Sequence, residues 1–382
     1  MAGAAKLDAF ADADAGGGGM IYFAVDEPRR HLLEHYVARG WGAPLESRIR
    51  QVTYPQLFRE KKIERGAWIF TGLEALSPAE LRLVDRIQSA ARDSGLSVHN
   101  SALNVVNRYG LLQLLRESGI NDFRAHRADG PLDDVRFPVF VRVANEHDGS
   151  LTPLLYDHRQ LSRAMIYIRM RGLPREHLLV IEFCDTAGSD GLFRKYSIFR
   201  IGDRYIPRYL HIGSHWMTKE GTRTSEEALI QEQMVYLLEN PHAGWVRQVF
   251  EMARIEYGRL DYGVHDGRPQ AWEINLAPTL SGDPRREGGG PTAVANPLFP
   301  ARAHAHMVMR EAFEQLDPGP IDGDDVRFDF PPSLVEEARR ERRALEAILA
   351  RRRRIGKIAA FPGLAKVGPL LRRRLSGDLS IG

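Results

Sequence analysis

Cysteine is almost missing from this sequence of 382 residues; Cys184 stands alone. A single thiol excludes an intrachain disulfide and any multi-cysteine zinc site, and it points to a reducing compartment. No apolar run approaches the ~20 residues that a bilayer-crossing helix needs. Neither sign of charge dominates, since 53 Lys and Arg stand against 50 Asp and Glu. The phosphate-cradling pattern GxxxxGK[ST] is absent, and so is the zinc pattern HExxH. His211 and His215 lie four apart, but Gly213 between them argues against a metal-binding helix, and a mobile loop is one alternative left open.

What is present is an ordinary globular composition, 43% hydrophobic and 27% charged. That profile excludes collagen-like, coiled-coil and wholly disordered chains, and the length allows two or three packed subdomains. Residues 1–19 are rich in Ala, Asp and Gly and lack the basic and apolar segments of a secretion signal. They read as a disordered extension, or as sequence upstream of a start at Met20. The charge is unevenly spread: 13 Lys and Arg against 5 Asp and Glu from Pro331 on, leaving 40 against 45 in the body. A mildly acidic body does not look like a nucleic-acid binder.

Ile21–Val25 and Ala67–Phe70 read as buried strands, with a helix over 27–39 between them. Ser77, Pro78 and Glu80 mark a helix start with a capping box, and that helix runs to Gly95. A strand at 96–98 completes a small parallel α/β unit. A helix over 104–118, a strand over 137–143, a helix over 156–170 and a strand over 178–183 follow. The stretch 193–212 alternates as two antiparallel strands turning at Gly202-Asp203. Helices are expected over 225–238, 243–257 and 299–315, with a hairpin of 259–264 and 269–275 between the last two. The expected fold class is therefore α/β (α+β).

The hairpin carries the chemistry. Side chains two apart on a strand share a face, so Arg259 and Asp261 point together, as do Glu273 and Asn275. Pairing the strands brings all four to one surface. One Asp, one Glu and one amide oxygen form a hard-oxygen set of the kind that suits Mg²⁺ shared with substrate phosphates.

This pattern resembles the C-terminal signature of the ATP-grasp superfamily, which includes D-alanine–D-alanine ligase, glutathione synthetase and the ribosomal-protein glutamate ligase. The resemblance implies that Asp261, Glu273 and Asn275 hold two Mg²⁺ ions, with Mn²⁺ as a substitute, against the phosphates of ATP. It places Arg259 where an arginine steadies the developing oxyanion. Upstream, Asn107-Arg108 is similar to the family's Asp-Lys helix start, and 137–142 to its Pro-x-Val-x-Lys strand, with Arg142 at the lysine. The segment 180–185 resembles the hinge that seats adenosine, giving Glu182, Phe183, Cys184 and Asp185 as cofactor contacts. Lys195 and Arg208 fall on strands that supply cations to phosphates and acceptor. Both family lysines are arginine here, and the loop 144–150 holds a single glycine where the family's loop is glycine-rich.

The resemblance implies an N-terminal preATP-grasp-like domain at 20–103 and an ATP-grasp domain at 104–317, split into 104–180 and 181–317. A linker and basic helical tail would occupy 318–382. It implies a cytoplasmic enzyme joining a small-molecule or peptide carboxylate to an amine through an acyl phosphate, with ADP and phosphate as products. Two alternatives stay open: a kinase or phosphotransferase on the same fold, and a non-catalytic ATP-binding module. The tail at 331–382 reads as a solvated helix packing one stripe on the body, or as a peripheral contact for an anionic membrane or an acidic partner. A homodimer is a further expectation, and no specific nucleic acid is expected.

Overall fold

The computed structural model describes residues 19–147, 149–218, 226–280 and 296–359. By its internal contacts the chain forms two compact units. Residues through Asn121 together with Asp185–Val335 make the first, and Asp122–Cys184 with the chain from Glu336 the second. The expected extension lies outside the described residues except for Gly19, as does the tail beyond Ala359.

The first unit opens with β1 (Ile21–Val25), α1 (His31–Arg39), β2 (Ile49–Thr53), α2 (Tyr54–Glu60), β3 (Lys62–Ile63) and β4 (Ala67–Phe70). It continues through α3 (Pro78–Asp93), β5 (Val98–His99) and α4 (Arg108–Glu117). Four strands form a parallel sheet in the order β2-β1-β4-β5. Strands β1 and β4 are buried at every position, as continuous apolar runs covered on both faces should be. The α3 start carries the expected reciprocal cap: the Ser77 N–H donates to Glu80 at 2.9 Å, and the Glu80 N–H to Ser77 Oγ at 3.3 Å. Strand β5 begins two residues later than the alternation suggests. Helix α4 starts at Arg108 rather than 104, because Asn107 is its cap and accepts the Gly110 N–H at 2.9 Å.

The second unit contains β6 (Ala125–Arg127), β7 (Val139–Val143), α5 (His158–Met170) and β8 (Leu178–Glu182). Its antiparallel sheet runs β6-β8-β7. Val139, Val141 and Val180 from the sheet pack with Leu161, Met165 and Ile168 from α5 into its core.

The first unit resumes with β9 (Phe193–Ile201), β10 (Arg204–Gly213), α6 (Glu227–Glu239), α7 (Ala243–Ala253), β11 (Tyr257–His265) and β12 (Arg268–Asn275). Helix α8 (Phe299–Leu316) and strand β13 (Val326–Arg327) follow, and α9 (Pro332–Ala359) ends the described chain. The four longer strands form an antiparallel sheet in the order β10-β9-β11-β12. Helix α7 stops at Ala253, short of the expected 257, because Arg254 turns into the left-handed region (φ 55°) and Tyr257 already belongs to β11.

One apolar cluster ties this sheet to the parallel one. Ile21 and Phe23 of β1, Tyr36 of α1, Phe199 and Ile201 of β9, Ile206, Tyr257, Met309 and Phe313 pack together. Phe199 and Ile201 share a strand face with Lys195 and Ser197. The apolar end of that face is thereby fixed in the core, while its polar end is left for other work.

Buried Asn100 adds a polar tie between the sheets. Its amide donates to the Phe70 and Tyr257 carbonyls at 3.1 and 2.8 Å, and its Oδ1 accepts the Glu256 and Tyr257 N–H groups at 2.9 and 3.0 Å. This one side chain serves three backbone groups at the start of β11, beside that strand's own pairing with β9.

Candidate functional site

The β11–β12 hairpin turns at Asp266-Gly267, both at positive φ (47° and 72°), as a two-residue primed turn requires. That turn sets the register. Asp261 lies opposite Glu273, and Arg259 opposite Asn275. A bulge after Asp261 leaves Trp272 as the extra residue on β12. Gly263 makes room for it: a Cβ there would sit 2.6 Å from the Trp272 ring and 3.0 Å from Thr186.

Asp261 is 4% exposed and takes four donors or cations. Arg259 donates from Nε to Oδ1 at 2.9 Å and from Nη2 to Oδ2 at 3.1 Å. Ser197, opposite Asp261 in the β9–β11 register, donates its hydroxyl to Oδ1 at 2.7 Å. Lys195 Nζ stands 3.9 Å from Oδ2. Burial alone would lower the Arg259 pKa, but Asp261 against it and Glu273 nearby hold it above the ordinary arginine value. Glu273 pairs with Arg108, the first residue of α4, and both are buried. Asn275 Oδ1 accepts the Ala277 N–H at 2.9 Å, closing the turn that ends β12.

The first unit thus gathers Arg108, Lys195, Arg259, Asp261, Glu273 and Asn275 from the residues singled out in the sequence. Among the described residues no group of three or more His, Cys, Asp or Glu is arranged to hold a metal ion. The donor set here is two carboxylates and an amide oxygen. Those are hard oxygens, of the kind that Mg²⁺ takes in small number while sharing phosphate oxygens, so the set fits that ion chemically.

Arg208 sits elsewhere on the sheet. It is 1% exposed, at a bulge of β10, with its guanidinium on His306 of α8 and 4.3 Å over the Tyr209 ring. His306 in turn stacks on Trp41, ring centroids 5.0 Å apart. Tyr209 lies opposite Ser197, so the strip from Asp261 through Ser197 and Tyr209 leads to Arg208. His211 faces the same way, opposite Lys195 and stacked on Tyr209. Burial, then the charge of Lys195, pushes its imidazole down to about 4, so it is neutral at physiological pH. Ser197 and Tyr209 were not anticipated. Their signal in the sequence is their two-residue spacing from Lys195 and His211.

Asp185 also belongs to the first unit. It is exposed, its carboxylate accepts the Ala187 N–H at 3.0 Å, and its carbonyl contacts His265 Nδ1 at 2.5 Å.

The remaining candidates lie in the second unit. Arg142, on β7, is buried and donates to the Glu146 carbonyl at 3.2 Å. The loop beyond it folds back on its own strand, the Leu151 N–H donating to the Val141 carbonyl at 2.7 Å. Glu182 is 1% exposed, and its carboxylate is consumed inside the unit. Arg124 donates to it from Nε at 2.9 Å and from its backbone at 3.1 Å, the Arg136 N–H reaches it at 3.1 Å, and His126 lies 3.3 Å away. Burial would raise this carboxyl, but those partners outweigh it and hold the pKa down to about 2. The Phe183 N–H donates to the Pro138 carbonyl at 2.8 Å, and Phe183 and Cys184 are both half-buried.

No protein-family model and no curated protein matches the chain. Among solved structures it is similar to D-alanine–D-alanine ligase from Bacillus anthracis complexed with ATP, at 13% identity over 77% of this chain and 98% of that one, TM-score 0.41. It is similar to the Helicobacter pylori D-alanine–D-alanine ligase at 11% identity over 80% and 100%, TM-score 0.43. A RimK domain ATP-grasp protein from Sphaerobacter thermophilus matches at 13% identity over 76% and 100%, TM-score 0.39. At TM-scores below 0.5 these likenesses decide nothing about the site, whose chemistry rests on the residues described above.

Proposed function

We propose that the protein is an ATP-dependent carboxylate–amine ligase. The observation that carries this reading is the hairpin register, which puts Asp261 against Glu273 and Arg259 against Asn275 on one sheet face. Asp261, Glu273 and Asn275 would hold Mg²⁺, which when bound neutralises charge on the triphosphate. Arg108 and Lys195 add fixed positive charge beside them. Arg142 and the segment Glu182, Phe183, Cys184 and Asp185 are further nucleotide contacts on the sequence resemblance.

The reaction runs in two steps. A carboxylate oxygen of the substrate bonds to the γ-phosphorus, the bond to the β-phosphate oxygen breaks, and ADP leaves with an acyl phosphate behind it. An amine nitrogen then attacks the acyl carbon. As the tetrahedral centre collapses, the acyl carbon–oxygen bond breaks, phosphate departs with its electron pair, and the nitrogen loses a proton. Arg259 steadies the oxyanion of that centre, as a fixed guanidinium in a dry site does well. Arg208 lies at the far end of the strip, on the acceptor's side.

The test is ADP release across a pool of carboxylates and amines, with mass spectrometry of whatever gains mass. Glu273→Gln should abolish turnover while the circular dichroism spectrum stays native; normal turnover in that variant refutes the assignment. A stable phosphorylated product would make the enzyme a kinase. ATP binding without ADP across the whole screen would leave a nucleotide-binding module, a reading favoured by the arginine already seated on each carboxylate.

A further inference from the structure

Helix α5 and the turn after it carry one sign of charge. From His158 to Arg175 the chain holds five arginines and no Asp or Glu. The acid before the helix, Asp157, is spent as its cap, accepting the Gln160 N–H at 2.7 Å. None of the five arginine side chains has a hydrogen bond or ion pair among the described residues; Arg171 lies 5.8 Å over the Tyr167 ring. Apolar side chains stand in water beside them: Ile166 is 57% exposed, Met170 63%, and Tyr156, at the entry to the helix, 59%. Leu161, Met165 and Ile168 face the core of the unit. Arg159, Arg163, Ile166 and Met170, spaced four, three and four apart, form the stripe on the opposite side.

Helix α6 is its counterpart. Residues 226–239 hold four glutamates and no Lys or Arg, and apolar residues lie on nearly every side. A helix of that kind is normally covered, yet Leu238 is 54% exposed and Leu229, Ile230, Met234 and Val235 are only half-buried. Its buried residues are Tyr236 and Leu237. The stripe opposite Tyr236 runs Glu227, Gln231, Met234, Leu238, again spaced four, three and four. Four of the six exposed large apolar side chains among the described residues thus lie on or beside these two helices, which is patch formation rather than single scatter.

Laid side by side in parallel, the two stripes match position by position. Arg159 meets Glu227 at one end. Ile166 then meets Met234, and Met170 meets Leu238. Just off the stripe, Arg171 meets Glu239. Both patches belong to one chain that leaves both exposed, so a second molecule of the same protein supplies the match. We propose that α5 of one copy docks on α6 of a second copy of this chain, with ion pairs at the ends and apolar contacts between them. Such a contact is heterologous: it closes into a dimer if a two-fold axis repeats it, and otherwise extends from copy to copy. The proposal does not depend on the ligase reading.

The test is sedimentation of the full chain by analytical ultracentrifugation. Association that grows between ~1 and ~100 µM is expected, because a single helix pair is smaller than a standard interface. Raising the salt should weaken it, since its end contacts are charged and exposed. Arg159→Glu/Arg171→Glu and Glu227→Arg/Glu239→Arg each set like charges face to face, and each should raise the dissociation constant by about 10-fold or more. Mixing the two variants puts opposite charges together again and should restore association. A wild-type protein that stays monomeric overturns the proposal, and so does association indifferent to salt and to both variants. A mixture that fails to associate overturns the pairing of α5 with α6. Should either variant not fold, the wild-type concentration and salt series decides alone. A monomer that sediments with phosphatidylserine vesicles, and loses this in Arg159→Glu/Arg171→Glu, overturns the proposal and gives the α5 face to lipid.

Discussion

Asp261 and Glu273 face each other across the β11–β12 pair, and each carries a guanidinium from a different place in the chain. Arg259 comes from two residues away on the same strand, and Arg108 from the first turn of α4. Arg259 grips Asp261 with both prongs of its guanidinium, and in the proposed reaction it would also present charge to the reacting centre. Arg259→Gln keeps a donor but loses the charge, and kcat should fall by ~100-fold with a smaller change in KM for ATP. Arg259→Lys keeps the charge but not the two-pronged grip, and should recover only part of that loss. Steady-state ADP release at varied ATP separates the two; equal activity of both variants and wild type would remove Arg259 from the chemistry.

Asn100 is the second test, and it concerns stability. Four backbone groups lose their partner in Asn100→Ala, all of them at the junction of β4 and β11. Each orphaned buried group costs about 1–3 kcal/mol, with partial relief where water enters. A loss of about 3 kcal/mol or more in urea unfolding is expected, larger than for an average core substitution. A loss under 1 kcal/mol would mean that the start of β11 is held by something else.

These residues differ in how visible they are in the sequence. The hairpin could be placed because Asp266-Gly267 is a strong two-residue turn signal and the charged residues flank it at strand spacing. Ser77 and Glu80 announced α3 for the same local reason. Strand β2, Ile49–Thr53, and helix α2 after it were not anticipated: Arg50 and Gln51 interrupt the apolar run, and only pairing with β1 makes the segment a strand. Asn100 gives no local sign at all, since its four partners lie 30 to 157 residues away. The pairing of Arg108 with Glu273 is likewise a property of the folded chain, spanning 165 residues. Periodicity, caps and turns encode the elements and the parallel arrangement of the first strands, whereas the Asn100 bonds and the Arg108–Glu273 pair depend on side chains brought together across long loops.

His211 gives a third test, by titration. Burial and then Lys195 push its imidazole from 6.5 to about 4. A histidine lowered on folding favours the neutral ring, so its contribution to stability is complete above about pH 6.5 and is lost as pH falls toward 4. Imidazole nitrogen shifts by NMR should therefore show no protonation of His211 between pH 8 and 5.5. Lys195→Met should move its midpoint upward, though not to 6.5, because burial is the larger cause. A wild-type midpoint near 6.5 would place His211 in water.

Glu182 tests the second unit in acid. Three residues converge on its carboxylate, and their hydrogen bonds hold the pKa down to about 2 against an ordinary 4.5. For a carboxyl lowered on folding, the stabilisation is present above the unfolded value and is lost as the proton returns. The window is therefore from about pH 4.5 down to about 2. A shift of this size corresponds to about 3 kcal/mol at neutral pH. In Glu182→Gln that stabilisation is missing at every pH. The variant should be less stable at pH 7 by that order, and its stability should change less than wild type's between pH 4.5 and 2. The difference between the two unfolding curves isolates this carboxyl from the chain's other acids. Parallel curves across that window would mean that Arg124, His126 and Arg136 do not converge on Glu182 in solution.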